Sequence, residues 1–248
     1  MILGTNEETD WKDMPYYLDR VEKPDFAFVP DADFPVIHGE KGILTFDLKK
    51  KFNKKCEGNL VLKNINGGNA PNMVPDNCTA ELIVDGYMKE SINEKLKEFK
   101  KETGWKISLE DVGSGKIMII SKGKSAHGSA PQKGTNAISQ LMQFLNRLPF
   151  GDCEAKEWIQ IYNSRIGMEY YGESIGCELE DDISGKLIFN VGMIRVDAEE
   201  AVLTINIRYP ITISSDKVYY GMEQSLKNTG IKIIKQDEVF IHLCVECS

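Results

Sequence analysis

Residues 78–112 read CTAELIVDGYMKESINEKLKEFKKETGWKISLEDV, and the changes of hydrophobic period along them decide the fold. Cys78, Ala80, Leu82 and Val84 alternate with polar residues, as a strand with one buried face requires. Ile92, Leu96 and Phe99 then fall on one helical face, with Gly104 as the stop. "WKISLEDV" (105–112) returns to the strand period, and "GSG" (113–115) turns it into a second arm, "KIMIISKG" (116–123). The stretch is a β-α-β unit with an attached hairpin strand.

The same order recurs downstream. "KLIFNVGMIRVD" (186–197) and "AVLTINIRYP" (201–210) read as strands, "SDKVYYGMEQSLKNTG" (215–230) as a helix and "IKIIKQ" (231–236) as a strand. Upstream, "GILTFDLKKKF" (42–52) alternates Leu44, Phe46 and Leu48 with polar residues, and "NLVLKNINGG" (59–68) closes on a glycine turn. Between the two units, 135–148 and 152–167 read as helices. The fold class expected is α+β: two ferredoxin-like halves, antiparallel sheets with helices on one face, resting on element order alone. Before them, Trp11, Met14, Leu18 and Val21 keep helical spacing up to Pro24, and 25–37 reads as a buried strand running into a loop.

At 248 residues with a net charge of −8 and a pI near 5.1, the chain is a poor partner for nucleic acid, whose phosphates it would repel. No apolar run approaches the ~18 residues of a membrane span, and no secretory leader is evident, so a cytoplasmic protein is expected. Six cysteines are too sparse for a disulfide scaffold. Cys244 and Cys247 form a single CxxC near His242, which reads more simply as a loose tail than as a metal site.

Glu7 and Glu8 stand where an apolar strand ends and a helix starts. Adjacent acids there either favour the positive end of the helix dipole or pair a general base with a metal ligand. Asp31 ends the next strand and reaches toward the same point. "GTNEET" (4–9), "PDADFPVIHGEKGI" (30–43), "SAHGSAP" (125–131) and "IRYP" (207–210), in that order, resemble the dipeptidase V branch (Xaa-His dipeptidase, carnosinase-like) of the dinuclear zinc aminoacylase/carboxypeptidase superfamily. The resemblance implies a dipeptide substrate and two zinc ions in the complete site. It makes Glu7 the general base, Glu8 and Asp31 carboxylate ligands of the zinc ions, and His127 the donor to the oxyanion. It makes Arg208 the grip on the substrate's terminal carboxylate and Asn72, in "GNAPNMVP" (68–75), a substrate hydrogen-bonding residue.

The pattern is incomplete. The family draws further histidines and an aspartate from segments on either side, whereas this chain holds only His38, His127 and His242. The expected organisation is a catalytic-domain remnant at 1–42, a double ferredoxin-like lid at 43–237 whose second half mimics a partner subunit, and a divergent tail at 238–248. Such a truncated zinc-dependent dipeptidase is expected to be inactive alone, its carboxylates without bound zinc. Its lid should be monomeric, with association arising through apolar surface of the remnant. The competing expectation is a catalytically dead lid serving as a binding module.

Overall fold

The computed structural model describes residues 4, 12–26, 39–54, 56–239 and 242–243. The chain divides into two units, Met1–Ile37 and His38–Ser248. In the first, α1 spans Asp13–Leu18. It is shorter than the helix expected through Val21: six residues with no side-chain cap and no buried residue give little to sustain a longer one.

The second unit follows the expected order. β1 (Gly39–Glu40), β2 (Gly42–Lys51), β3 (Leu60–Gly67) and β4 (Asn77–Val84) lead into α2 (Gly86–Thr103). The hairpin of β5 (Lys106–Gly113) and β6 (Lys116–Lys122) precedes α3 (Ala137–Leu145) and α4 (Glu154–Arg165). β7 (Glu180–Asp181), β8 (Gly185–Lys186), β9 (Ile188–Val196) and β10 (Glu200–Tyr209) lead to α5 (Ser215–Ser225), β11 (Lys232–Val239) and β12 (His242–Leu243). α2 is well bounded. The Asp85 side chain accepts from the Met88 amide at its start, and Gly104 takes the left-handed conformation at its end.

The two expected sheets are one. Eight antiparallel strands run in the order β11-β2-β10-β9-β3-β4-β6-β5. Its halves, β3-β4-β6-β5 and β9-β10-β2-β11, repeat one pattern, with α2 linking β4 to β5 and α5 linking β10 to β11. β2, first of these strands in the chain, thus completes the C-terminal half. The halves join where β3 pairs β9 over Ile65↔Val196, Asn66↔Arg195 and Gly67↔Ile194. β3 and β9 hold equivalent places and run antiparallel, so the halves are related by a local two-fold axis through this seam.

Strand alternation sends one face of the sheet to the helices. Leu44, Phe46 and Leu48 of β2, Leu82 of β4 and Leu203, Ile205 and Ile207 of β10 are all buried with Phe99, Phe144, Trp158 and Met222 of the helices. The opposite face carries Thr45, Asp47, Asn190, Thr204, Asn206 and Arg208, a polar series of which Asn190, Thr204 and Asn206 are buried. Cys56, after β2, is disulfide-bonded to Cys153 at the head of α4, 97 residues away. The sparse cysteines gave no sign of that pair. No helix among the described residues is long and apolar enough to cross a membrane.

Candidate functional site

Glu7, Glu8 and Asp31, expected as base and metal ligands, lie outside the described residues, as do His38, Cys244 and Cys247. Among the described residues no three His, Cys, Asp or Glu side chains gather as a metal centre needs. The zinc ligands expected on this chain number two, against the three or four protein ligands of ordinary zinc sites.

Asn72, His127 and Arg208 are described, and they share a locality. Met73 and His127 form an antiparallel bridge, and the Gly128 amide donates to the Asn72 carbonyl at 2.6 Å. The loop between β3 and β4 is thereby bound to the loop after β6. Asn190, on the polar face of β9 and 1% exposed, donates through Nδ2 to the carbonyls of Pro71 at 2.8 Å and Met73 at 3.1 Å. Asn190 opposes Asn206 across the β9–β10 register, and Arg208 lies two residues along the same face of β10. Diagonal neighbours on one sheet face sit roughly 7–8 Å apart. One buried amide side chain of the C-terminal half therefore holds the Asn72–His127 loops of the N-terminal half beside Arg208.

Close backbone approach makes this contact tight. A Cβ on Gly192 would stand 2.3 Å from the Pro71 carbonyl oxygen, and one on Gly128 2.8 Å from that of Asn72. Gly192 is the bulged residue of β9, where the register to β10 slips between Thr204 and Ile205. Side chains at these two glycines would push the loops off the sheet.

His127 is exposed, and its ring is oriented locally. Nδ1 lies 2.7 Å from Ser129 Oγ and accepts from the Ser129 amide at 3.3 Å. A backbone N–H can only donate, so Nδ1 is an acceptor and the proton of the neutral ring sits on Nε2. The free edge of the ring is thus a donor. Arg208 is half-buried; its Nε is fully covered yet has no partner among the described residues. Burial pulls the guanidinium's pKa down, and the Glu40 carboxylate acts the other way. The Asn72 side-chain amide has no hydrogen bond among the described residues. The His127 Nε2 edge, the Arg208 Nε and the Asn72 amide, each without a hydrogen-bond partner among the described residues, therefore border one stretch of the polar face. A separate groove of about 610 Å³ lies further along that face over the seam, lined by Asn66, Arg195 and Thr204 and by none of the three.

Sequence reading missed Asn190 and Ser129. A polar residue inside an otherwise apolar strand, "LIFNVGM", was the available signal for the first. Ser129 lay unremarked within "SAHGSAP".

Residues 109–232 match the peptidase dimerisation domain of the M20 peptidases. A Staphylococcus aureus (strain MRSA252) protein named "Putative dipeptidase SAR1836" is 34% identical over 94% of this chain and 50% of its own length. The Bacillus subtilis (strain 168) protein named "Putative dipeptidase YtjP" is 35% identical over 87% of this chain and 46% of its own. An aminoacylhistidine dipeptidase structure from Vibrio alginolyticus aligns with 81% of this chain and 44% of its own at 12% identity, with a TM-score of 0.38. The chain spans about half the length of the curated relatives it matches.

Proposed function

Since this chain belongs to the M20 peptidase family, whose dimerisation domain it carries, we propose that residues 43–237 act as the substrate-gripping lid of a zinc-dependent dipeptidase. What supports the reading is the tether from Asn190, which brings a free imidazole donor and an unpartnered guanidinium onto one face. In this reading Arg208 takes the substrate's terminal carboxylate through its planar fork. His127 Nε2–H donates to the oxyanion that forms at the scissile carbonyl, and Asn72 hydrogen-bonds the substrate backbone. The carboxylate and the carbonyl of a dipeptide lie about one residue, roughly 3.3–3.6 Å, apart along the chain. One cleft therefore has to serve both side chains. Glu7 is assigned the general base and Glu8 and Asp31 the zinc ligands; zinc, when bound, polarises the carbonyl and acidifies water.

A second reading has the chain acting as a binding module without catalysis. Zinc-dependent cleavage of a dipeptide such as β-Ala-His by the purified chain separates the two. In a full-length relative, replacing the residue matching Arg208 by Ala should raise KM for dipeptides with a free carboxylate at least tenfold while sparing their amides. Replacing the residue matching His127 should lower kcat by about 10²-fold. Equal treatment of acids and amides would end the assignment of Arg208.

The halves also complete each other's inner edge through β3 and β9, which supports a monomeric lid.

A further inference from the structure

We propose that Lys41 and Arg208 form a two-cation subsite that favours ligands with two carboxylates, such as a dipeptide whose C-terminal residue is acidic. The inference rests on the carboxylate grip assigned to Arg208 above.

Lys41 precedes β2 and donates from Nζ to the Lys186 carbonyl at the end of β8. Those two residues flank β10. Arg208 pairs with Ile43 on one side and Ile188 on the other. Continuing both registers by two residues sets Lys41 and Lys186 on either side of Pro210. The lysine side chain therefore crosses β10 two residues beyond Arg208, on the same face. Two strand residues advance roughly 7 Å, a span that the carboxylates of one aspartyl or glutamyl residue can bridge.

Neither cation is in an ion pair among the described residues. The Lys186 carbonyl uses one ammonium proton and leaves two. Three acids act on the pair: Glu40 on Arg208, and Asp181 and Glu180 on Lys41. Asp181 is already occupied, because its carboxylate accepts from Ile183, from Ser184 twice and from Thr212 twice. Burial lowers the Lys41 pKa, and the Arg208 charge lowers it further. Two like charges this close, neither in an ion pair among the described residues, are relieved by a dianion.

The test uses this chain in solution, with the Arg208 Nε–H resonance as reporter and two ligands of equal shape, N-acetylglutamate and N-acetylglutamine. The dianion should bind about fivefold tighter, the size of a partly screened ion pair, and the ratio should fall as salt is added. Lys41→Met should bring the two affinities together, and Lys41→Arg should retain the preference. A structural role at the Lys186 carbonyl would not produce that selective pattern. Amide spectra of both variants confirm the fold, with Lys41→Gln as the substitute if Lys41→Met does not fold. Equal affinities in the unaltered chain, or a preference that survives Lys41→Met, would overturn the subsite. The grip itself is read separately, by calorimetry, since Arg208→Met lacks the reporter proton. If Arg208→Met binds N-acetylglutamine as well as the unaltered chain does, the grip fails and the subsite with it.

Discussion

Replacing Asn190 by Asp changes one atom of a side chain that is 1% exposed and spans the seam between the halves. The amide donates to two carbonyls, at 2.8 Å from Pro71 and 3.1 Å from Met73. Asn190→Asp puts an acceptor where both acceptors point. Each lost bond removes about 0.5–1.5 kcal/mol, and each carbonyl left buried without a donor costs about 1–3 kcal/mol. Loop movement relieves part of the sum, leaving an expected loss of about 3 kcal/mol. For a domain of this size that corresponds to roughly 6–12 °C in Tm.

The introduced carboxyl is buried against carbonyl oxygens, so its folded pKa is raised above its unfolded value near ~3.9. A raised pKa gives stability that is present at low pH and lost as pH rises through the folded value. The deficit relative to the unaltered chain should therefore be small below about pH 4 and largest at pH 7. Urea melts across that range measure it, and hydrogen exchange locates it. The amides of Val74 and Gly128, which donate to Ala126 and Asn72, should lose protection before the sheet does. A deficit under ~0.5 kcal/mol at pH 7, or one independent of pH, would refute the tether.

The disulfide between Cys56 and Cys153 closes a loop of 97 residues, and removing it in a double Ser variant should cost about 2–4 kcal/mol, read by urea melts. Peptide mapping under non-reducing conditions should recover that one cross-link and leave the buried Cys78 and Cys177 as thiols. Burial pushes the Asp181 carboxyl up, but hydrogen bonds from Ser184 and Thr212 outweigh it and hold its pKa well below the usual range. The stability it confers is thus present above the unfolded pKa and lost as pH falls below it. Asp181→Asn should flatten the acid limb of the Tm–pH profile below about pH 4. The chain should elute at the 27.9 kDa of a monomer in light scattering, and a concentration-dependent dimer would show that the seam leaves a pairing edge in use.

The strands and helices of the larger unit were legible because each buries one face, and period alone reports that. Leu44, Phe46 and Leu48 or Ile92, Leu96 and Phe99 declare their element without any partner. Pairing is a different matter. Nothing in 42–52 says that β2 inserts between β10 and β11, since its registers reach Arg208 and Lys235 far along the chain. The fusion of two sheets into one was hidden for the same reason, because it depends on three residue pairs of ordinary composition. Of the candidate site, the motif residues Asn72, His127 and Arg208 were named by resemblance. Asn190, which holds the loops beside Arg208, was not, because its partners are backbone carbonyls that no sequence pattern marks.

The geometry of the seam explains why the candidate residues come from both halves. A two-fold repeat of ferredoxin-like units leaves each inner edge strand with unpaired backbone groups, and β3 and β9 satisfy each other. Only Ile65, Asn66 and Gly67 of β3 take part in that pairing before the chain turns away through Gly68. Beyond that point β9 pairs with no further described strand on this side; its Phe189 amide donates to the Tyr170 carbonyl, and its Val191 carbonyl accepts from the Asn136 side chain. Its Gly192 carbonyl would stand 1.9 Å from a Cβ on Gly68, so the turn passes against the strand itself. Asn190 then takes over with its side chain, gripping the continuing loop where main-chain pairing has ended. A ladder would have fixed Pro71–Met73 flat as another strand. A side-chain tether instead lifts the loop off the sheet, exposing Met73 and half-exposing Asn72, while keeping His127 in register with it. The seam is therefore short because the loop held by Asn190 occupies the place where more pairing would otherwise form.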